Sequence, residues 1–279
     1  MTSDEIERGY NNRAAVPDHP RWFERWAELS RAARKALSPA IDVRYGPNAK
    51  ETLDLFVPAV PPLGTLLFIH GGYWRSLDKA EHLFVAPPFV ANGYAVAVVN
   101  YDLCPAVGIA TIVDECRRAL AWLVSEGRRH GANAERIVVS GHSAGGHLAA
   151  MLLATPAEAF GTARHPLRGA VSVSGVHDLR PLTQASMNAD LRLDAHEAAR
   201  LSPILAAPKC DAPIVIAVGG NETSEFLRQA MLLWDAWPAS RPPRTQGPLV
   251  VPERHHFSIV ADYADPASEL TRATLQLFG

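Results

Sequence analysis

The sequence predicts an α/β fold with a mostly parallel central sheet and helices on both faces. Short, almost continuous apolar runs alternate with helical stretches along the chain, the pattern of buried parallel strands joined by helices. The 279 residues are 48% hydrophobic and 20% charged, as in an ordinary globular protein. We expect one domain over residues 1–279, with an N-terminal helical segment at 1–40 and a lid-like insertion at 179–210.

The first predicted element is an amphipathic helix over residues 19–37. Its apolar side chains recur at spacings of three and four and form one stripe: Trp22, Trp26, Leu29, Ala33 and Leu37. We expect this helix to pack on the body of the protein. The alternative is that it covers the mouth of a pocket.

Seven apolar runs follow, and each predicts a strand. They span residues 52–58, 64–70, 94–101, 135–140, 169–174, 213–219 and 248–252. The helical stretches between them span residues 79–91, 110–128, 144–154, 224–236 and 266–277. The insertion at 179–210 also has helical character. Connections of this length usually carry function or a lid, and a plain surface excursion is the alternative.

Charge and cysteine content exclude several classes of protein. The formal net charge is −2, so the chain lacks the basic surface that binds nucleic acid or anionic membranes. The N-terminus does not resemble a signal peptide, and no apolar run approaches the roughly 18 residues that span a bilayer. Cys104, Cys116 and Cys210 are scattered without CxxC spacing, which favours free thiols in the cytoplasm.

The stretch SGHSAGGH at residues 140–147 predicts an exposed serine nucleophile. Ser143 stands between a predicted strand and a predicted helix, which is the context of the G-x-S-x-G nucleophile elbow. Gly141 and Gly145 are needed where a Cβ would collide with backbone. The alternative is a structural turn in which the serine caps the helix. We expect His142 and His147 to be structural or to support the site.

The segment His70-Gly71-Gly72-Tyr73-Trp74 follows a predicted strand and predicts an oxyanion hole. Its glycines let backbone N–H groups turn toward a reacting carbonyl, and the amide after the nucleophile adds another donor. The expected donors are the amides of Gly71, Gly72 and Ala144. The alternative is a Gly-Gly turn that only leaves the strand.

HGGYW together with GHSAGG resembles the arylformamidase (kynurenine formamidase) branch of the α/β-hydrolases. Hormone-sensitive-lipase-like enzymes instead have a third glycine at the position of Tyr73 and GDSAGG at the elbow. The resemblance runs nearly end to end and includes Tyr10-Asn11 and the stretches at 45–47, 53–56 and 225–229. It implies an α/β-hydrolase fold with an N-terminal helical segment and a helical insertion after the sixth strand of that fold.

The catalytic base is expected in the loop after the last strand. Two histidines, His255 and His256, lie there. The resembled family has His-Phe at this point, which selects His256 and leaves His255 at the pocket rim or surface. Position on the loop decides which ring reaches the serine.

The catalytic acid is expected after the penultimate strand, because the triad follows the order nucleophile, acid, histidine. The resembled family has an aspartate three residues before Glu-Phe, and Glu222 occupies that position here. Its extra methylene changes the reach of the carboxylate. The alternatives are Asn221, which carries no charge, Glu225, which suits a helix N-terminus, and Asp178.

These parts predict a serine hydrolase that transfers an acyl group to water without a metal or organic cofactor. The resemblance implies an aryl formamide substrate such as N-formyl-L-kynurenine. A short-chain or aryl carboxylesterase is the first alternative, and a non-catalytic ligand-binding protein on the hydrolase scaffold is the second. We expect Tyr73 and Trp74 to contact the small-molecule substrate, unless both rings point into the core. A homodimer is left open.

Overall fold

The computed structural model describes residues 2–279 and contains one eight-stranded sheet. The strands are β1 (Ala40–Arg44), β2 (Thr52–Phe56), β3 (Thr65–Ile69), β4 (Ala95–Val99), β5 (Ile137–His142), β6 (Leu167–Val173), β7 (Ile214–Gly219) and β8 (Leu249–Val251). Their order is β1-β2-β4-β3-β5-β6-β7-β8. Only β2 pairs antiparallel with its neighbours, β1 and β4, and all other pairs are parallel. The predicted mostly parallel sheet of an α/β-hydrolase fold is confirmed.

Ten α-helices accompany the sheet in the described part of the chain. They are α1 (Ser3–Tyr10), α2 (Asn12–Ala15), α3 (His19–Leu37), α4 (Ala86–Ala91), α5 (Ile109–Glu126), α6 (Ala144–Leu153), α7 (Asn188–Leu191), α8 (Ala195–Arg200), α9 (Ser224–Ala236) and α10 (Glu269–Gln276). The helix expected at 79–91 is shorter than predicted. Two 3-10 turns, Lys79–Glu81 and Leu83–Val85, precede α4. Pro87 and Pro88 have no N–H to donate to a preceding turn, so they fit only the first turn of a helix, and α4 begins at Ala86.

The sheet is buried on both faces, as the continuous apolar runs predict. Along β3, Leu67 and Ile69 join one core, while Leu66 and Phe68 join the other. Apolar residues of α5, α6 and α9 complete the first core, and those of α3, α4 and α10 complete the second. Helices therefore cover both faces. None of the helices in residues 2–279 has the length and apolar character needed to cross a bilayer.

The N-terminal segment packs against the loops at the carboxyl ends of the strands. Tyr10 at the end of α1 is fully buried, and its hydroxyl donates to a carboxylate oxygen of Glu225 in α9 at 2.6 Å. In α3, Trp26 is buried in the core that also contains Phe257. The predicted packing of α3 on the body of the protein is therefore what the structure shows.

Candidate active site

Ser143 lies in a tight turn between β5 and α6. Its φ of 56° and ψ of −117° are strained for a residue with a side chain. A Cβ at Gly141 would lie 2.1 Å from the carbonyl oxygen of Gly145, and one at Gly145 would lie 2.0 Å from that of Ile69. The turn therefore requires both glycines. The Ser143 side chain makes no capping hydrogen bond to α6, so the helix-cap alternative does not describe it.

His256 brings its imidazole to the serine from the loop after β8. Its Nε2 lies 3.1 Å from Oγ of Ser143, within hydrogen-bond reach of a proton that it could abstract. Its Nδ1 donates to Oε2 of Glu222 at 2.8 Å. The three side chains thus form a continuous hydrogen-bonded array in the order nucleophile, base, acid.

The carboxylate of Glu222 is held on both oxygens. Oε2 faces His256, while Oε1 accepts hydrogen bonds from Oγ of Ser174 at 2.5 Å and from the backbone N–H of Gly219 at 2.8 Å. Its side chain is fully buried, so water does not weaken these contacts. The extra methylene of glutamate is accommodated because the carboxylate is anchored at the ends of β6 and β7. Ser174 is a site residue that sequence reasoning missed, since 48 residues separate it from Glu222.

The other candidate acids and the neighbouring histidine have different partners. Asp178 forms an ion pair with Arg180. Glu225 pairs with Arg228 and also accepts the hydroxyl of Tyr10. His255 turns its Nδ1 to the backbone amides of residues 257 and 258, and its ring meets Trp22 edge-on. None of these side chains joins the hydrogen-bonded array at Ser143.

His142 and His147 are buried supports. His142 donates from Nε2 to the backbone carbonyl of His256 at 2.8 Å, and its ring lies 4.8 Å from that of His256. Burial lowers the pKa of His142 well below its ordinary value, so the ring is neutral and this tautomer persists. His147 donates to the carbonyl of Leu201 in the insertion. Neither ring hydrogen-bonds to Ser143.

Side-chain donors anchor the backbone carbonyls of residues 70–72. The hydroxyl of Tyr101 donates to the carbonyls of His70 and Gly71 at 2.9 and 3.2 Å, and Nδ1 of His70 donates to the Gly71 carbonyl at 2.8 Å. The Gly72 carbonyl accepts from Oγ of Ser76 at 3.0 Å. In a trans peptide the N–H points opposite to the preceding C=O. These anchors therefore fix the N–H groups of Gly72 and Tyr73 in the direction opposite to the anchored carbonyls that precede them.

Gly72 and Tyr73 line the same cavity as Ser143, whereas Gly71 and Ala144 do not, and Ala144 directly follows the serine. Among residues 2–279, no protein acceptor takes a hydrogen bond from the amides of Gly72, Tyr73 or Ala144. Gly71 has a steric role in the turn that carries Ser143. A Cβ there would lie 2.8 Å from the carbonyl oxygen of His142 and 3.0 Å from Cβ of Ser143, so its missing side chain makes room for the elbow. The amide of Tyr73 is a candidate donor that the sequence interpretation overlooked.

The cavity above Ser143 has a volume of about 360 Å³. Gly72, Tyr73, His142 and His256 line it together with Ser143, and the aromatic residues Phe23, Trp26 and Phe257 line it as well. Residues of the N-terminal helices α1 and α2 and of the insertion complete the lining. The helix α3 thus packs on the core and also lines the pocket.

Trp74 does not reach this cavity, which corrects the expectation that it contacts substrate. The ring is completely buried and meets His147 edge-on, with 5.0 Å between centroids. Tyr73 does line the cavity. Both residues have positive φ, 50° and 57°, and successive left-handed residues turn the two neighbouring rings in different directions. The described residues contain no group of three His, Cys, Asp or Glu side chains that could hold a metal ion.

Comparison with known proteins gives a consistent set of relatives. The BD-FAE family profile matches residues 53–236. Kynurenine formamidase of Salmo salar is 31% identical over 301 aligned residues, covering 100% of this chain and 97% of the relative. Kynurenine formamidase of Danio rerio is 31% identical over 88% of this chain and 84% of its own length. A crystal structure of a candidate thioesterase from Silicibacter sp. tm1040 superposes with a TM-score of 0.86 at 33% identity, covering 97% of this chain and 99% of that one.

Proposed function

Because the chain belongs to the BD-FAE family and to the kynurenine formamidase-like branch of the α/β-hydrolases, we propose that it hydrolyses an aryl formamide such as N-formyl-L-kynurenine to an arylamine and formate. The chain is a hydrolase of the α/β-hydrolase type. The observation that carries the proposal is the hydrogen-bonded array of Ser143, His256 and Glu222, of which Ser143 and His256 line the cavity.

The proposed reaction begins with proton transfer from Oγ of Ser143 to Nε2 of His256 as the oxygen attacks the formyl carbon. Glu222 holds the imidazole in the tautomer that accepts this proton and stabilises the imidazolium that forms. His256 then protonates the amide nitrogen, the C–N bond breaks, and the arylamine leaves a formyl ester on Ser143. Water attacks this ester with His256 as base, releasing formate and restoring the serine.

The negative charge on the carbonyl oxygen needs donors during both steps. We assign this role to the amides of Gly72, Tyr73 and Ala144, with Tyr73 taking the place first expected for Gly71. The anchored carbonyls support this assignment because they fix the direction of the loop amides before substrate arrives. Preorganised donors of this kind contribute about 3–4 kcal/mol each to transition-state stabilisation.

The proposal favours a small acyl group on an aromatic leaving group. Tyr73 lines the cavity with Ser143 and takes the position of the third glycine of lipase-like loops, and its hydroxyl is fixed by a hydrogen bond of 2.6 Å to the carbonyl of Tyr10. A fixed ring narrows the space for the acyl chain. The wall of Phe23, Trp26 and Phe257 offers flat apolar surface to an arylamine, and each aromatic pair contributes about 0.5–1.5 kcal/mol beyond burial.

A short-chain carboxylesterase is the alternative, because the same array would serve an ester. Steady-state kcat/KM for N-formyl-L-kynurenine should be measured beside p-nitrophenyl esters from acetate to decanoate. The proposal expects the formamide to be the better substrate and ester activity to fall steeply beyond butyrate. A rate that rises toward decanoate, with no formamide hydrolysis, would favour a lipase-like esterase.

We also propose that residues 1–279 act as one domain in the cytoplasm. The wall formed by the N-terminal helices and the insertion supports the first statement, since the cavity depends on both. The three free cysteines support the second.

A further inference from the structure

The loop of residues 70–74 is held at its first end by Tyr101, which lies two residues after β4. The Tyr101 hydroxyl donates to the carbonyls of His70 and Gly71 at 2.9 and 3.2 Å. Its ring stacks on the imidazole of His70, with 4.2 Å between centroids and 8° between planes. Tyr101 is fully buried, so water does not compete for these contacts. Tyr101 therefore fixes the start of the loop.

The other end of the loop is held by the same stretch of chain. The backbone N–H of Cys104 donates to the carbonyl of Trp74 at 2.8 Å. Residues 101–104, which we call the supporting segment, thus contact the loop on both sides of the two loop amides assigned to the oxyanion hole. A shift of the supporting segment would therefore move those amides.

The supporting segment is itself bound by Glu115 of α5. Oε2 of Glu115 accepts the backbone N–H of Asp102 at 2.7 Å, and Oε1 accepts a longer bond of 3.4 Å from Nδ2 of Asn48. Glu115 is completely buried. Burial raises its pKa to about 7, and the acidic side chains of Asp102 and Glu51 add to the rise.

The carboxyl of Glu115 is costly to bury at this position. A buried carboxyl whose partners are two neutral N–H donors recovers only part of the free energy of its desolvation. An apolar side chain of α5 would pack here without that cost. What the carboxyl supplies, and an apolar side chain cannot, is an acceptor for the N–H of Asp102. That bond lies in the middle of the supporting segment, between the two points that hold the loop.

We propose that Glu115 is a positioning residue for the oxyanion hole, acting through the N–H of Asp102 on the amides of Gly72 and Tyr73. Glu115 does not line the cavity, so it contacts neither substrate nor the reacting atoms. The inference rests on the oxyanion assignment of the proposed function and adds the residue that sets the direction of the loop amides. Because those amides act on charge that develops in the transition state, loss of Glu115 should lower kcat and leave KM nearly unchanged.

The test uses p-nitrophenyl acetate, because its hydrolysis needs the oxyanion hole whichever substrate is natural. Glu115→Leu removes the acceptor at similar size. We expect kcat to fall about 10- to 100-fold with KM nearly unchanged, since a misplacement of about 1 Å can lower a rate about 100-fold. Glu115→Gln keeps an oxygen for the Asp102 N–H and should restore most of the wild-type kcat.

Thr65→Val is the matched control for a loss of stability. Thr65 is fully buried at the start of β3, the strand whose other end leads into the 70–74 loop. Its hydroxyl donates to the backbone carbonyl of Asn133 at 2.8 Å and accepts the Asn133 N–H at 2.9 Å. Loss of both bonds should lower the melting temperature without lowering kcat.

Two ketones of similar shape separate the oxyanion hole from the rest of the site. Oγ of Ser143 adds to the carbonyl carbon of trifluoroacetophenone, its proton passes to His256, and the C=O electron pair becomes an oxyanion that the amides stabilise. Acetophenone lacks the fluorine atoms that favour this addition and binds as the neutral ketone. In Glu115→Leu, the inhibition constant of trifluoroacetophenone should rise by the factor by which kcat/KM falls, while that of acetophenone stays at the wild-type value.

The inference is wrong if Glu115→Leu keeps the wild-type kcat, if both ketones lose affinity equally, or if Thr65→Val loses as much kcat at the same melting temperature. Should Glu115→Leu fail to fold, Glu115→Asp takes its place under the same criteria, because its carboxylate is one methylene shorter and does not reach Asp102. A wild type that hydrolyses p-nitrophenyl acetate but no aryl formamide would refute the proposed substrate, while the two ketones still decide the role of Glu115. Equal inhibition of the wild type by both ketones would overturn the oxyanion assignment and this inference with it.

Discussion

The hydroxyl of Tyr73 donates a hydrogen bond to the backbone carbonyl of Tyr10, with 2.6 Å between the two oxygens. This bond joins the loop after β3 to the end of α1. A second bond, from Oγ of Thr223 to the carbonyl of Gly9 at 2.7 Å, joins the same segment to the loop that carries Glu222. The N-terminal segment is thus fastened to two of the loops that build the site.

Tyr73→Phe removes the first of these bonds while keeping the ring. The Tyr10 carbonyl then loses its buried partner, which costs about 1–3 kcal/mol, and the cavity wall loosens. We expect a lower melting temperature and a lower kcat/KM. Tyr94→Phe is the control, because Tyr94 packs on Phe278 far from the cavity lining. Equal melting temperature and kcat/KM in Tyr73→Phe and wild type would show that the bond has no role.

Removal of either Ser143 or His256 should nearly abolish turnover. Nucleophile and base act as a unit, so Ser143→Ala and His256→Ala should each lower kcat by about 10⁴- to 10⁶-fold while the melting temperature changes little. Glu222→Gln should lower kcat less than either of these changes, because it keeps the shape of the side chain and removes only its charge. His255→Ala is the internal control and should retain activity. If His255→Ala nearly abolished turnover while His256→Ala lowered kcat only slightly, the assignment of His256 as the base would be wrong.

Gly72→Ala should disable the loop of residues 70–74, which carries two of the amides that we assign to the oxyanion hole. Gly72 has a φ of 103°, and an added Cβ would lie 2.1 Å from the carbonyl oxygen of Ser76. The loop must shift and the amide directions change, so we expect kcat to fall about 10²- to 10³-fold, the cost of one lost donor. Gly247→Ala, where nothing lies within 4 Å of the new Cβ, should behave as wild type. Full activity in Gly72→Ala would argue against an oxyanion role for this loop.

Stability should fall as the pH drops from about 6.5 toward 4. Burial lowers the pKa of His70 and His147 to about 4 and that of His82 and His177 to about 3. In the unfolded chain these rings take up protons near pH 6.5, whereas in the fold they stay neutral. Unfolding is therefore favoured by up to about 1.4 kcal/mol per pH unit for each histidine in this window.

Buried Glu115 opposes the loss of stability at low pH. A variant that lacks one buried histidine isolates the contribution of that histidine. Burial raises the pKa of Glu115 to about 7, so its contribution to stability decreases as the pH rises toward 7. Thermal unfolding from pH 7.5 to 4.5 should still show a net loss on acidification. His147→Gln should flatten the slope relative to wild type, whereas His196→Gln, at an exposed position, should not. Identical slopes in the two variants would contradict burial of a neutral His147.

The strands of the central sheet could be predicted because strands that are buried on both faces have continuous apolar runs. The edge strand β1 could not, since its burial alternates and it contains Asp42 and Arg44. Besides pairing with β2, β1 is held by Lys79, whose ammonium bridges Asp42 and Asp54 at 2.7 and 2.6 Å. These partners lie far apart along the chain, so no local pattern reveals them.

The candidate site shows the same division between local and long-range information. Motif context indicated Ser143, chain order indicated the loops of the acid and the base, and the family resemblance selected Glu222 and His256 within those loops. The fold brings the three side chains together. The direction of the Trp74 ring depends on the left-handed turn at 73–74, which residue types do not specify. The wall supplied by Asn12 and Arg13 arises from packing of a segment more than 100 residues from Ser143 in sequence.

Formate release from N-formyl-L-kynurenine by wild type and Ser143→Ala tests the central claim most directly. Coupling to formate dehydrogenase measures the formate itself, so only cleavage of the formamide bond produces the signal. We predict steady release by the wild type and a loss of several orders of magnitude in Ser143→Ala. Release at the wild-type rate in Ser143→Ala, or no release by a wild type that still hydrolyses p-nitrophenyl acetate, would contradict the claim.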